Sequence, residues 1–430
     1  MTPLSLHIKN GSPLSVIHTD TFKTGMLAVT LSLPRRAELV SASLLLCGML
    51  RRGCEKYPSS QALNRRLDEL YASFVEIKST HFGRTEAIQI CAELLDSTYI
   101  PDKTDVLDGV CEVISQLLLH PIAEQNAFPV SALEKEKQNV CDALRAEINN
   151  PRAYALARCH EMLYETDRDY PTADELLDTV SAMDSRTLYD AYRRILRDAE
   201  LRIFYVGSET EERIVSLCER YFGTLGTNAA ARPAMNPEHP SGLRERTARM
   251  PVRQGKLVIG FRTGACMADA DYPAHLVANE LFGGSPASKL FLNVRERMGL
   301  CYHCSSSYHA LSGHLFVCAG IEPDKRSVTE AEIDKQWQAT KDGAFSEAEL
   351  AAAKLSLCNA YRQMPDNPFD LHSFYTVRQL FGIEDTIEDT VKRVCLVTPE
   401  QVAAAARTWQ KDAVYFLHGT LPSEEGDDEE

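Results

Sequence analysis

One pattern constrains this chain more than any other: the ends of its two halves repeat. Asp178-Thr179-Val180 leads through a helix-like stretch, Ser185 to Leu196, into the apolar strand Leu201-Arg202-Ile203-Phe204-Tyr205-Val206-Gly207. Asp389-Thr390-Val391 leads through Thr398 to Trp409 into Ala413-Val414-Tyr415-Phe416-Leu417-His418-Gly419. The offset is 211 residues from Asp178 to Asp389 and 212 from Gly207 to Gly419, so one insertion or deletion reconciles the copies. Ser185 and Thr398 are N-cap candidates, and Pro399 stands where a first helical residue favours proline. Two copies are too few to stack as a solenoid. The repeat points to a duplicated domain.

The order of local patterns inside each half supports this. In the first half, residues 25–33 read as a strand, 37–50 and 60–71 as helices, and 74–80 and 85–93 as strands joined near Gly83. In the second, 256–262 read as a strand, 272–281 and 288–297 as helices, and 301–308 and 314–319 as strands. Strands gathered into a sheet with long helices on one face describe an α+β chain of two duplicated α/β-sandwich domains, each with a mainly antiparallel sheet. The Ala-, Pro- and Asn-rich stretch Asn228 to Gly242 lacks periodic apolar residues and reads as part of a linker. The expected division is a domain over 1–225, a linker over 226–250, a second domain over 251–421 and an acidic tail over 422–430.

Composition excludes some functions. A formal net charge of -15 repels phosphates, so neither nucleic acid nor an anionic membrane surface is an expected partner. No apolar run reaches the roughly 18 residues that span a bilayer, and the first residues lack the basic and apolar regions of a secretory signal. Thirteen cysteines, an odd number spread over 430 residues, read as buried thiols in a reducing compartment, which predicts the cytoplasm.

The most distinctive segment is Phe282-Gly283-Gly284-Ser285-Pro286-Ala287-Ser288-Lys289-Leu290-Phe291, followed by Val294-Arg295-Glu296-Arg297-Met298-Gly299-Leu300-Cys301-Tyr302. It resembles the "GGG-x-x-S-R-L-F … R-E-K-x-G-L-x-Y" segment of the pitrilysin/insulinase metallopeptidases. The duplication and the order of helices and strands extend the likeness over nearly the whole chain. The resemblance implies the LuxS/pitrilysin-like fold and gives Arg295 and Tyr302 a substrate-binding role. The chemistry is coherent, because a guanidinium leaving a helix stopped near Gly299 and a phenol opening the next strand can both donate hydrogen bonds to a peptide carbonyl or an oxyanion. Spacing alone favours a surface ion pair beside a core tyrosine, and the surrounding motif reverses that preference.

The same resemblance places an inverted H-x-x-E-H zinc motif on the first long helix, ahead of "M-L-F-K-G-T". Here Met49-Leu50-Arg51-Arg52-Gly53-Cys54 matches the latter, so the motif falls on Leu44-Leu45-Leu46-Cys47-Gly48. Two histidines four apart share a helix face and can bind zinc, whereas Leu44 and Gly48 have no lone pair. No histidine occurs between His18 and His81, whatever the register. The family's third ligand is a glutamate in "E-x-E-R-x-V-V-x-x-E", which resembles Glu134-Lys135-Glu136-Lys137-Gln138-Asn139-Val140-Cys141-Asp142-Ala143. Ala143 takes the ligand position, with Asp142 and Glu147 as neighbouring alternatives, and Glu136 reads as a solvated helix charge. Neither a metal ligand nor a catalytic residue is expected in this chain.

Cys47 stands at the general-base position among apolar neighbours, which predicts a buried structural thiol. Cys301 and Cys304 form a C-x-x-C with His303 and His309 nearby. Residues three apart on a strand face opposite ways, so the two thiols are expected to diverge, with Tyr302, Cys304, Ser306 and Tyr308 on one face. Lone His275 reads as a core or surface residue.

The resemblance implies that two chains of about this size form a hollow peptidase, one supplying zinc and the other the Arg/Tyr pair. The expected function is therefore that of a non-catalytic subunit that binds peptide and completes the chamber of a zinc-bearing H-x-x-E-H partner. Zinc would belong to that partner, with no cofactor here. A structural scaffold subunit or a stand-alone peptide-binding protein is the alternative.

Overall fold

In the computed structural model, residues 1–102, 104–226 and 242–421 are described. The acidic tail expected over 422–430 lies outside them, as does most of the stretch 226–250. The first half carries strands β1 (Leu4–His7), β2 (Pro13–His18), β3 (Thr24–Pro34), β4 (Phe74–Phe82), β5 (Thr85–Leu95) and β6 (Glu200–Gly207). Its helices are α1 (Ala37–Arg51), α2 (Ser60–Glu69), α3 (Val106–Leu119), α4 (Val130–Ala146), α5 (Pro151–Leu163), α6 (Ala173–Ala182), α7 (Ser185–Asp198) and α8 (Glu211–Phe222). The second half carries β7 (Arg244–Met250), β8 (Gly255–Arg262), β9 (Cys301–His309), β10 (His314–Ile321) and β11 (Gln410–Gly419). Its helices are α9 (Tyr272–Asn279), α10 (Arg326–Lys341), α11 (Glu347–Gln363), α12 (Pro368–Leu380), α13 (Ile387–Leu396) and α14 (Pro399–Thr408).

The two sheets share a topology. The first runs β1-β2-β6-β3-β5-β4 and the second β7-β11-β8-β10-β9, so without β1 they correspond strand for strand. Each is antiparallel except for one parallel pair, β2 with β6 and β7 with β11. The chain is thus α+β with a duplicated sheet-and-helix domain. Within the stretch 226–250, residues 244–250 form β7. Its charged residues, Arg244, Glu245, Arg246 and Arg249, suit a strand at a sheet edge.

The helix termini follow local chemistry. Thr398 caps α14 in a reciprocal box with Gln401, with Pro399 in the first turn. At α7 the cap is Asp184, whose carboxylate accepts from the amides of Arg186 and Thr187, so the expected cap Ser185 lies one residue inside and donates to Phe128 O. Both residue types accept from exposed amides, and an aspartate adds favourable charge at a helix start.

The chain forms two compact units that are not its two halves. The first takes residues 1–144, 168–226 and 364–384, and the second 145–167, 242–363 and 385–421. Each half therefore lends one helix to the other half's sheet. On α5, Ala155, Cys159, Met162 and Leu163 repeat at i, i+4, i+7 and i+8, are at most 1% exposed, and pack on Val258, Phe316, Cys318 and Tyr415 of the second sheet. On α12, Leu371, Phe374, Tyr375 and Arg378 repeat at i, i+3, i+4 and i+7 and are buried. α12 lies along β3 and β6, with His372 edge-on to Phe204 at 5.3 Å and Gln379 accepting from Ser15.

Fully burying one Leu or Met side chain stabilises by about 1.5–3 kcal/mol, so each stripe is a substantial anchor. Both lent helices open with Asn-Pro. Asn150 accepts from the amide of Ala153 and Asn367 from that of Phe369. On the opposite face of the first sheet, α1, α3, α7 and α8 enclose the main core, with Leu27, Val29, Leu31, Ile88, Ile90 and Ile203 pointing into it. Among the described residues no helix is long and apolar enough to cross a membrane.

Candidate functional site

The residues matched to the zinc motif lie on α1, a helix apolar nearly all round and therefore buried. Cys47 is 4% exposed, and burial pushes its thiol up to about 12, so it is a protonated packing group. At Gly48 α1 meets α4 directly: an added Cβ would fall 2.3 Å from Glu136 Oε2. Glu136 is buried at 7% exposure, against the expectation of a solvated charge. Its carboxylate accepts from Arg52 Nη2 at 2.5 Å and from Asn139 Nδ2 at 3.2 Å. The missing side chain of Gly48 makes the room, and Arg52 at the end of α1 supplies the charge that lets the carboxylate stay there.

Ala143 is exposed on the same helix as Glu136. Asp142 accepts from Gln138 at 2.7 Å, and Glu147 lies 3.6 Å from Arg158. Zinc, which the family pattern implies, does not fit this set. The three ligand positions, Leu44, Gly48 and Ala143, have no lone pair, the general-base position is the Cys47 thiol held protonated, and the carboxylate in contact is engaged by a guanidinium.

Arg295 and Tyr302 lie in the second unit. Leu290–Arg297 winds as a π-helical segment, wider than an α-helix, and ends in backbone bonds from Met298 N to Asn293 O and from Leu300 N to Val294 O. Gly299 turns the chain at φ +59, which a glycine adopts without strain, and β9 begins two residues later. The Arg295 guanidinium lies 4.6 Å above the Phe291 ring and 5.9 Å from the Tyr302 ring, with Nε 3.5 Å from Glu296 Oε1. Phe291 is thus the platform that steers the arginine. It is visible in the sequence as an aromatic one turn before the arginine.

The strand register explains the tyrosine. Opposite β10, Gly320 faces His303 and Ile321 faces Cys301, so Tyr302 is the extra residue of a β-bulge. One extra residue reverses the alternation of faces. Tyr302 therefore swings out, 79% exposed, while Cys301 and Cys304 both turn inward, at 8% and 2%. This corrects the expected divergence of the C-x-x-C thiols and the expected shared face of Tyr302, Cys304, Ser306 and Tyr308. The Cys301 thiol is drawn below its ordinary range by its hydrogen bond with Cys304, against the opposing effect of burial and with help from the Arg295 guanidinium.

The glycine run has a packing reason. A Cβ on Gly283 would lie 2.6 Å from Ser306 Oγ and 2.7 Å from Ser306 N, so only glycine lets Glu280–Gly284 sit against β9. Lys289 is tied to Ala344 O at 2.8 Å and to Glu349 Oε1 at 3.3 Å. His275 is fully buried, accepts from Trp409 Nε1 at 3.1 Å and stacks on Tyr308. The site is thus an exposed phenol on β9, the edge strand of its sheet, and a guanidinium steered from the π-helical segment before it, both able to donate to a bound carbonyl.

Residues 183–357 match the family described as the peptidase M16 inactive domain, the pitrilysin/insulinase-like metallopeptidases. The chain is similar to inactive M16 metallopeptidase homologues. It is 29% identical to the probable inactive metalloprotease YmfF of Bacillus subtilis, over 95% of this chain and 96% of that protein. A conserved protein from Enterococcus faecalis V583 superimposes with a TM-score of 0.89 at 25% identity, covering 99% of this chain and 100% of the other. A peptidase M16 inactive domain from Pseudomonas fluorescens shares the fold, with a TM-score of 0.81 at 16% identity and 99% of each chain covered. The M16 resemblance read from the Gly283–Tyr302 segment therefore holds along essentially the whole chain.

Proposed function

We propose that this M16 homologue is the non-catalytic subunit of a heterodimeric zinc metallopeptidase. It binds no zinc itself and completes the chamber of a partner bearing H-x-x-E-H. The observation that carries this reading is an asymmetry within one chain. The α1–α4 end is filled by the Arg52–Glu136 pair where ligands are missing, while Tyr302 is exposed on the edge strand β9 with Arg295 beside it on the preceding π-helical segment. Substrate adds to β9 as an extended strand, and the two side chains donate to a peptide carbonyl or to the oxyanion formed from it. The thirteen free cysteines support a reducing, cytoplasmic setting.

The test purifies this chain alone and together with an H-x-x-E-H subunit encoded beside it, then measures zinc content and peptide cleavage. Zinc and cleavage are expected only with the partner. Stoichiometric zinc and cleavage by this chain alone would overturn the proposal. A pair that assembles but whose turnover ignores both Arg295→Ala and Tyr302→Phe would make the chain a structural scaffold.

A further inference from the structure

Twelve of the thirteen cysteines are buried, and Cys395 is the exposed one. It stands near the end of α13, with its Sγ 3.5 Å from the Sγ of Cys358 on α11. Cys358 is 3% exposed, so the pair joins one thiol open to solvent with one sheltered behind it. Lys354, on the same helix as Cys358, donates to the carbonyl of Cys395 at 3.0 Å and fixes the two helices at this point. A disulfide has its sulfurs about 2.05 Å apart, so each sulfur needs to move only about 0.7 Å, within reach of a side-chain rotation.

The place of the pair gives it a consequence. The two cysteines are 37 residues apart. The segment between them contains residues 364–384, the piece that the second half lends to the first unit, with α12 at its centre. Cys358 and Cys395 sit at the two roots of that arm, both within the second unit.

We infer that Cys358 and Cys395 are a reversible thiol–disulfide switch that clamps the base of the α12 arm when the protein meets a low-molecular-weight disulfide. In the first step the Cys395 thiol loses its proton to solvent. The thiolate attacks one sulfur of the disulfide RSSR, giving Cys395–S–S–R and releasing RS⁻, which takes up a proton. In the second, Cys358 loses its proton and attacks the Cys395 sulfur, releasing a second RSH and closing the Cys358–Cys395 bond. Two protein thiols are oxidised and one RSSR is reduced to two RSH. The closed loop restricts the unfolded chain, so oxidation stabilises the arm, and the glutathione pool of a reducing compartment reopens it.

The experiment uses the full chain with oxidised glutathione as probe, followed by alkylation under native conditions and peptide mapping. Before oxidation, iodoacetamide should label Cys395 faster than the buried cysteines. After oxidation, a dithiothreitol-reversible bond between the Cys358 and Cys395 peptides should appear, with a rise of about 5 °C in the thermal midpoint. Cys358→Ala should stop the reaction at a persistent glutathione adduct on Cys395, and Cys395→Ser should abolish both adduct and bond. A lasting adduct on Cys395 in the unaltered chain, or a bond mapped to Cys301–Cys304 in its place, would overturn the inference.

Discussion

The α1–α4 end of the first unit and the β9 corner of the second belong to two copies of one duplicated fold, yet they have been filled by opposite rules. Each follows the strand, helix, helix, strand order that begins at β3 or β8. At the first, an apolar helix is packed tight, and the Glu136 carboxylate that reaches it is neutralised by Arg52 and closed over Gly48. At the second, a π-helical segment and a bulge hold an arginine above a phenylalanine and turn a tyrosine out to solvent. Exposing a large aromatic side chain gains nothing for folding, whereas filling a cleft with packed groups does. The first place is packed as a core is, and the second, under the proposed function, is left open for an encounter.

The sharpest attempt to break this contrast is to put a ligand back. Gly48→His drives a ring into the Glu136 carboxylate and separates it from Arg52, and should cost about 3 kcal/mol or more in urea unfolding while giving no stoichiometric zinc. A stable variant that binds zinc would show that the end is merely unoccupied chemistry. Next in size is Arg295→Ala, which in the assembled pair should lower turnover by about a hundredfold, the usual consequence of losing one oxyanion donor, with an unchanged thermal midpoint. Loss of stability in step with turnover would turn the β9 corner into a second packing site.

Acid should act on the packed regions. Burial depresses the pKa of His372, on α12, to about 4 in the folded protein, with Lys78 adding to the effect. The unfolded value is about 6.5, so the unfolded chain binds more protons between these limits. The stabilisation is present above about pH 6.5 and is lost as pH falls through about 4, amounting to about 2 kcal/mol by pH 5. Burial also lowers the pKa of His314, which lies 5.1 Å edge-on to Tyr164 at the C-terminal end of α5, so both lent helices should loosen in acid. Unfolding of His372→Phe at pH 7 and pH 5 should show a smaller difference between the two than the unaltered chain, and an equal difference would remove His372 from the account. The smallest effect is expected of Tyr302→Phe on stability, within about 0.5 kcal/mol, because the hydroxyl belongs to an exposed side chain.

Much of this was legible along the chain. Apolar periodicity and glycine placement are local properties, so strands and helices fell near their expected ranges, and the Gly283–Tyr302 segment carried the family resemblance. Asn150-Pro151 and Asn367-Pro368 announce two equivalent helix starts in plain view. What they do not announce is the sheet on which each helix lies.

The sequence by itself determined the duplication, the α+β alternation and the lack of histidines near α1, because these depend only on which residues follow one another. Tertiary structure alone decided three matters. It sent α5 and α12 each to the other half's sheet, since an apolar stripe specifies that it must be covered but not by what. It buried Glu136, because the cost of a buried carboxylate is met by a partner distant in sequence. And it turned Tyr302 outward while drawing Cys301 and Cys304 inward, because a bulge exists only where two strands fall out of register and one strand alone has no register to lose.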